Sequence, residues 1–161
     1  MMFRKYFNSS PHIDVTMKKE TKEEYLETLY KLSLENDEDK IKTGEIADDL
    51  NISSPSVTEV LPKLEKNNYI KYLPYQGVEL TEKGKKEGCR ILRTHRVLEV
   101  FLDEFFDIPE EEIHKKACEL EHIFDMNMIE NISERLSEPK TCPHGGKIPS
   151  CKSNDCPVNE K

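Results

Sequence analysis

The chain of 161 residues has no long hydrophobic run, which excludes the usual helical way of crossing a membrane. No apolar stretch approaches the roughly 18 residues that a transmembrane helix needs. The N-terminal stretch MMFRKYFNSSPHIDV has no apolar centre of the kind found in a signal peptide. We therefore expect a cytoplasmic protein with no membrane partner.

The chain has five cysteines, an odd number. Three of the five cysteines fall in the last twenty positions, at Cys142, Cys151 and Cys156. An odd set in a chain without an export signal argues against a disulfide framework.

Catalytic patterns are also missing. The sequence contains no glycine-rich phosphate loop, no pairing of a nucleophile with a base and no general acid–base pair. We therefore expect a protein that is not an enzyme and has no small-molecule substrate.

Positive charge is in short supply. The net charge is −8, whereas affinity for nucleic acids usually begins with phosphate neutralisation by Lys and Arg. The charge is uneven, with −4 over residues 1–52, +2 over 53–90 and −6 over 91–161. Any contact with nucleic acid is therefore expected in the middle third.

The middle third carries the pattern of a winged helix-turn-helix. Apolar residues at helical spacing predict two short helices on either side of Asn51-Ile52-Ser53, and Ser54-Pro55 is typical of a helix N-terminus. Two β-rich runs follow, Tyr69–Leu73 and Val78–Thr81, with Gly77 in the turn between them. A capping box at Thr21 and Glu24 predicts the start of an earlier helix.

The second half is predicted to be helical throughout. A long helix is expected from Thr81 to Phe106, followed by Glu110–Phe124 and Asn127–Leu136. This half is too small to bury its apolar faces well alone, so we expect a homodimer. The predicted fold is mainly α. It comprises a flexible tail at 1–20, a winged helix-turn-helix domain at 21–88, an all-helical metal-binding and dimerisation domain at 89–138, and a Cys-rich tail at 139–161.

The stretch HKKACELEH, residues 114–122, concentrates possible metal ligands. Cys118, Glu121 and His122 stand at positions i, i+3 and i+4, so their side chains share one helix face, and His114 lies four residues earlier. His95 and Glu99 have the same spacing of four on the long helix. Sulfur, nitrogen and oxygen ligands together suit Fe(II), Mn(II), Co(II) or Zn(II). The alternative is a buried structural thiol among charged residues.

The chain resembles the diphtheria toxin repressor family, the iron- and manganese-dependent transcriptional repressors, in a form without the C-terminal SH3-like domain. The resemblance runs from about Thr21 to Pro149 through TKEEYLETLY, ISSPSVTEVLPKLEKNNYI, THRVLE, HKKACELEH and CPHGGKIP. It implies a homodimer that binds double-stranded operator DNA when metal is present.

Residue roles follow from the same resemblance. It implies a principal metal site of Glu24, Cys118, Glu121 and His122, a second site of His95, Glu99 and His114, and a possible ligand at Glu27. It places Ser53, Pro55, Ser56, Thr58, Glu59 and Lys63 on the DNA-facing side of the recognition helix. The alternative for Glu59 is an outward-facing side chain that pairs with Lys63 on the helix surface. Family members that continue into the SH3-like domain obtain further ligands there.

The identity of the metal stays open at this point. Cys118 resembles the iron-sensing branch and Glu24 with Glu27 the manganese branch, and thiolate favours iron slightly. In the tail, Cys142, His144, Cys151 and Cys156 form a possible further site for Zn(II) or an iron–sulfur cluster. A reduced tail without metal is the alternative.

Two other functions remain compatible with the sequence. One is a winged-helix regulator whose ligand is not a metal, and the other is a metal-binding adaptor that does not bind DNA. The first predicts DNA binding that ignores a chelator, and the second predicts no salt-dependent affinity for DNA.

Overall fold

The computed structural model describes residues 17–36 and 40–151. Within these ranges the chain forms helices α1 (Lys19–Glu35), α2 (Thr43–Asp49), α3 (Ser54–Lys66), α4 (Glu82–Phe105), α5 (Glu110–Glu121) and α6 (Met126–Arg135), with strands β1 (Ile70–Leu73) and β2 (Gly77–Leu80) between α3 and α4. The expectation of a mainly α fold with an N-terminal winged helix-turn-helix is confirmed.

Helix α1 packs along α4 through an apolar stripe. Leu26 and Leu29 are completely buried, and Tyr25 beside them is 4% exposed. The helix begins at Lys19, and Thr21 therefore lies inside it. The predicted capping box at Thr21 is wrong. The stripe nevertheless predicted the buried face correctly, because the spacing of apolar residues decides which side of a helix is buried.

The helix-turn-helix is formed by α2 and α3. Asn51 adopts a positive φ of 51° in the turn, which Asn tolerates better than most residues. Ser53 caps α3, because its hydroxyl accepts a hydrogen bond from the backbone N–H of Ser56, and Pro55 follows in the first turn. Val57 in α3 is fully buried against the core of the domain.

The wing is an antiparallel hairpin in which Ile70 pairs with Leu80 and Leu73 with Gly77. Gly77 has a φ of 122°, and a Cβ at this position would lie 2.6 Å from the carbonyl oxygen of Ile41. Ile41 forms an isolated bridge with Val78, which ties the chain before α2 to the wing. Gly77 is therefore required both by its backbone angle and by this close contact.

Helix α4 is the longest element and joins the two halves of the molecule. Thr81 caps it by accepting a hydrogen bond from the N–H of Gly84 at 3.1 Å. Its first half packs on α1 and its second half on α5 and α6. The predicted domain boundary at residue 88 therefore falls inside a continuous helix, which passes from one hydrophobic core to the other.

The C-terminal segment from residue 138 to residue 151, here called the tail segment, packs against α4. Cys151 forms a disulfide with Cys89 of α4, and Ile148 and Cys142 are buried in the second core. The expectation that the cysteines form no disulfide is therefore wrong for this pair. An odd number of cysteines leaves at least one of them without a disulfide partner, but it allows any two of the others to form a disulfide.

Within the described ranges, no helix is both long enough and apolar enough to span a membrane.

Candidate metal centre and nucleic-acid interface

His95 lies at the centre of a buried group of polar side chains between α4 and α5. Only 2% of its surface is exposed. Its Nδ1 atom lies 2.7 Å from Oε2 of Glu121, and its Nε2 atom lies 3.1 Å from Oε1 of Glu99 and 3.0 Å from Nδ1 of His114. Because buried polar groups are costly unless they are paired, the position of His95 depends on these contacts.

Cys118 brings sulfur to the same place. Its Sγ atom lies 3.8 Å from Nδ1 of His95 and 3.8 Å from Nε2 of His114. His114, Cys118 and Glu121 share α5 at intervals of four and three residues, so they point towards α4 together. The helical spacing seen in the sequence thus places imidazole, thiol and carboxylate groups around His95.

Helix α1 contributes two carboxylates. Oε1 of Glu27 lies 3.7 Å from Nδ1 of His95, and Oε2 of Glu23 lies 2.7 Å from Nδ1 of His122, the residue that ends α5. Glu23 is only 3% exposed, and the guanidinium of Arg90 lies 3.5 Å from its other oxygen. These contacts connect α1 to α5 in the described structure.

The structure does not bring Glu24 to this group. Glu24 is exposed on α1, whereas Glu23 and Glu27 are four residues apart and face inward together. The residues predicted from the sequence on this helix were Glu24 and Glu27, and Glu23 was not among them. The spacing of four from Glu27 is the signal that could have identified it.

A second group, here called the tail cluster, forms where the tail segment meets α4. It consists of Glu99, Cys142 and His144, whose ligand atoms all lie within 4.8 Å of one another. Nδ1 of His144 lies 3.0 Å from Oε1 of Glu99. The same oxygen lies 3.1 Å from Nδ1 of His114, so Glu99 stands between the two groups.

Cys151 of the predicted tail site does not join Cys142 and His144 in the described structure. Cys142 and His144 meet Glu99, and Cys151 is bonded to Cys89. Cys156 lies outside the described residues. The sequence pattern did not predict this arrangement, because the partner of Cys142 and His144 is Glu99 of α4, more than forty positions earlier in the sequence.

The contacts around His95 change the proton affinity of both imidazoles. Burial alone would lower the pKa of His95, but hydrogen bonds with Cys118 and Glu121 raise it above its ordinary value. Hydrogen bonds with Cys118 and Glu99 raise the pKa of His114 to about 10. In the metal-free protein, protons on these rings therefore balance the negative ligands around them.

The acidic groups respond to the same contacts. Burial raises the pKa of Glu27 to about 7. Burial would also raise the pKa of Glu99 and of the Cys118 thiol, but hydrogen bonds from His114 and His95 lower both. Glu99 and Cys118 are thereby favoured in the ionised form that binds metals, and a metal would displace protons from the histidines.

The donor set fits a transition metal. Two of the candidate groups, His95 with His114 and Cys118, and Glu27 with His95 and Glu121, share the His95 ring. Imidazole, thiolate and carboxylate ligands together suit Fe(II), Mn(II), Co(II) or Zn(II), whereas Mg and Ca prefer oxygen alone.

Helix α3 presents the predicted DNA-facing residues at the surface. Ser53, Pro55, Ser56, Thr58 and Glu59 are all exposed, and Lys63 is half-buried. The face opposite them carries Val57, Leu61 and Leu64, which are completely buried. An exposed polar helix face after a short turn is the geometry that enters a major groove. The DNA contacts of these individual residues stay predictions.

Comparison with known proteins identifies both halves. Residues 17–78 match the N-terminal DNA binding domain of iron dependent repressors, and residues 81–150 match their metal binding and dimerisation domain. An HTH-type transcriptional regulator of Methanocaldococcus jannaschii is 40% identical over 110 residues, which is 68% of this chain and 87% of that protein.

Longer relatives match over part of their length. The iron-dependent repressor IdeR of Mycobacterium tuberculosis is 32% identical over 130 residues, or 81% of this chain and 56% of IdeR. The structure of the manganese regulator SloR has a TM-score of 0.69 and 39% identity, and covers 80% of this chain and 59% of SloR. The chain thus spans little more than half of either protein. These matches confirm the resemblance, and the chain belongs to the iron-dependent repressor family of metal-dependent, DNA-binding transcriptional regulators.

Proposed function

We infer that this chain is a homodimeric transcriptional repressor that binds operator DNA when Fe(II), or alternatively Mn(II), is present. The observation that carries this inference is the meeting of three helices at His95: Glu27 comes from α1, His95 from α4 and Glu121 from α5. We propose no catalytic reaction for the chain, and we propose that it acts in the cytoplasm, where it meets operator DNA.

Specific residues would hold the metal. Cys118, Glu121 and His122 are proposed as the α5 ligands of the principal site, with a glutamate of α1 as their partner. Glu24 remains the family-based choice for that partner, whereas Glu23 is supported by its 2.7 Å contact with His122. The second site would use Glu99 with His114 on one side and with Cys142 and His144 on the other, and His95 contacts both sites.

The consequence for DNA binding follows from where these residues lie. Helix α1 packs on α2, which in turn packs on the recognition helix α3, whereas α5 belongs to the second core. When ligands from α1 and α5 hold one ion, the winged domain is restrained relative to the dimerisation half. Metal activates only if the DNA-competent arrangement binds it more tightly than the alternative does.

The choice between metals depends on Cys118. Thiolate is a soft ligand that suits iron better than manganese, whereas the carboxylates of α1 suit manganese. The position of Cys118, half-buried next to two histidines, supports iron as the proposed physiological metal.

The proposal is tested by fluorescence anisotropy of a labelled duplex from upstream of this gene. Protein is titrated without oxygen and at fixed salt, with Fe(II), Mn(II) or chelator. We expect metal-dependent binding, with Fe(II) more effective. Binding that is equal with metal and chelator would contradict the proposal, and a selection from random duplexes extends the search if the upstream segment fails to bind.

A matched pair of variants tests the site itself. Glu121→Gln removes a buried carboxylate that contacts His95, and Glu119→Gln changes an exposed carboxylate on the same helix. We expect Glu121→Gln to raise the metal concentration for half-maximal DNA binding by roughly tenfold or more, the usual cost of altering a metal's surroundings. Glu119→Gln should leave it unchanged. Equal behaviour of the two variants would exclude Glu121 from the site.

A further inference from the structure

One stripe of α4 contacts the tail segment from His144 to Cys151. Its residues Cys89, Arg93, Arg96 and Glu99 follow one another at intervals of four, three and three, so they lie along one side of the helix. In the described structure they contact the tail segment in reverse order. Cys89 bonds Cys151, and Glu99 meets His144 at the other end.

The two arginines fix the stretch in between. The guanidinium of Arg93 donates to the carbonyl oxygen of Pro149 at 3.0 Å and forms a two-pronged ion pair with Glu130 of α6. The guanidinium of Arg96 donates to the carbonyl oxygen of Lys147. A Cβ on Gly146 would lie 2.8 Å from that guanidinium, so the backbone can approach Arg96 closely because residue 146 is glycine.

The end of the tail segment is also connected to the arm that carries Cys142. The N–H of Ile148 donates to the carbonyl oxygen of Lys140 at 2.8 Å, and the N–H of Cys142 donates to that of Gly146 at 2.9 Å. The stretches 140–142 and 146–148 are therefore hydrogen-bonded to each other and form a narrow loop with His144 at its turn. Because Cys151 holds the end of the second stretch on α4, the position of Cys142 in the first stretch is restrained as well.

We propose that the Cys89–Cys151 disulfide controls the affinity of the tail cluster for a divalent transition metal. The disulfide holds the loop on α4 so that Cys142 and His144 face Glu99, and its reduction frees the end of the loop. This inference rests on the proposed function, in which Glu99, Cys142 and His144 form part of the second metal site.

The chemistry is thiol–disulfide exchange with a small-molecule thiol. The thiolate of one such molecule attacks Cys89 or Cys151, forms a mixed disulfide with it and releases the other cysteine as a thiolate. A second thiolate attacks the mixed disulfide, releases the remaining cysteine and leaves as a small-molecule disulfide. Two electrons and two protons thus pass from two thiols to the pair, and a small-molecule disulfide reverses the step.

Burial makes the exchange depend on the position of the tail segment. Cys89 is 1% and Cys151 4% exposed, and they lie against Tyr30 and Leu92. A thiol can reach this sulfur pair only when the end of the tail segment lifts from α4. A metal held by Cys142 and His144 opposes that lifting, so metal binding and the disulfide must stabilise each other reciprocally.

The test follows metal binding at Cys142 alone. Cys118→Ser and Cys156→Ser together leave Cys142 as the single cysteine outside the pair, and Co(II) gives a sulfur-to-metal absorption band when that thiolate binds. This oxidised protein is compared with the same protein carrying Cys89→Ser and Cys151→Ser. We expect the Co(II) concentration at half-saturation to rise roughly tenfold without the disulfide.

Two controls separate this effect from a loss of stability. Ile46→Val weakens the first core, whose described members include no residue of the tail segment, and it should leave the Co(II) midpoint unchanged. Circular dichroism at the titration temperature establishes that every variant is folded. A Co(II) midpoint that shifts equally in Ile46→Val would reduce the disulfide to a structural role and overturn the proposal.

A second readout uses the reciprocal effect. The oxidised Cys118→Ser, Cys156→Ser protein is treated with glutathione, and the appearance of free Cys89 is followed by mass spectrometry with and without Co(II). We expect slower reduction when Co(II) is bound. Equal rates of reduction with and without Co(II), or equal Co(II) midpoints with and without the Cys89–Cys151 disulfide, would refute control of the tail cluster by the disulfide. Either result would leave metal-dependent DNA binding intact. Absence of the sulfur band in the oxidised protein would refute both this inference and the second metal site.

Discussion

Glu23 and Glu24 are adjacent in the sequence, but the helix directs their side chains to different surroundings. Glu23 is buried between Arg90 and His122, and Glu24 is exposed. Composition does not distinguish two neighbouring glutamates, yet a difference of one position decides which carboxylate lies beside His122. At this scale the site depends on helix rotation.

The two glutamates can be distinguished by substitution. We expect Glu23→Gln to weaken metal binding roughly tenfold, because it removes the α1 carboxylate that contacts His122. We expect Glu24→Gln to leave metal affinity within twofold of the unmodified protein. Isothermal titration with Mn(II) measures both. If Glu24→Gln has the larger effect, α1 rotates when metal binds and Glu24 is the ligand, as the family resemblance implies.

At the scale of elements, the crossing of α1 and α4 supports the metal centre. Gly88 of α4 lies against α1 so closely that a Cβ would stand 2.6 Å from the carbonyl oxygen of Leu26 and 2.6 Å from Cβ of Tyr30. This contact sets the distance between the two helices that carry Glu27 and His95. The separation of those two side chains therefore depends on the absence of a side chain at residue 88.

Filling this contact should disturb stability and metal binding together. We expect Gly88→Ala to lower the free energy of unfolding by about 1–3 kcal/mol, the usual cost of overpacking. Gly44→Ala is the matched control, because nothing lies within 4 Å of its added Cβ and alanine favours helix α2. That variant should be more stable by roughly 0.5–1 kcal/mol. Urea unfolding of the metal-free proteins measures both, and an unchanged Gly88→Ala would show that α1 can shift freely.

At the scale of the whole molecule, the charged groups at His95 connect the two hydrophobic cores. Glu23 and Glu27 come from a helix of the first core, and Glu121 and His122 lie at the end of a helix of the second. A ligand that binds all of them stabilises the arrangement of the two halves as well as each half. This is the physical basis for expecting metal to influence DNA binding at a distance.

Metal should therefore raise the stability of the complete chain. At a metal concentration of one hundred times the dissociation constant, binding to the folded state contributes about 2.7 kcal/mol. We expect a corresponding rise in the thermal midpoint with Mn(II), measured by circular dichroism, and a smaller rise for Glu121→Gln. A midpoint that does not respond to metal would contradict the principal site.

The sequence by itself determined the order of the elements and supplied most of the candidate metal ligands. The apolar spacing, the Ser54-Pro55 pair and the glycine in the wing predicted the winged helix-turn-helix, because local backbone preferences and amphipathic periodicity act over a few residues. The spacing of His114, Cys118 and Glu121 predicted one ligand face of α5, since those intervals are fixed by the helix itself.

Only the tertiary structure decided which distant groups meet. It placed Glu23 rather than Glu24 beside His122, joined Cys89 to Cys151 across 62 positions, and carried Cys142 and His144 to Glu99. The pairings of the tail segment have no periodic signal, because each depends on how that segment packs on α4. Burial and close packing of α1, α4 and the tail segment therefore completed a site whose donors the sequence had largely supplied.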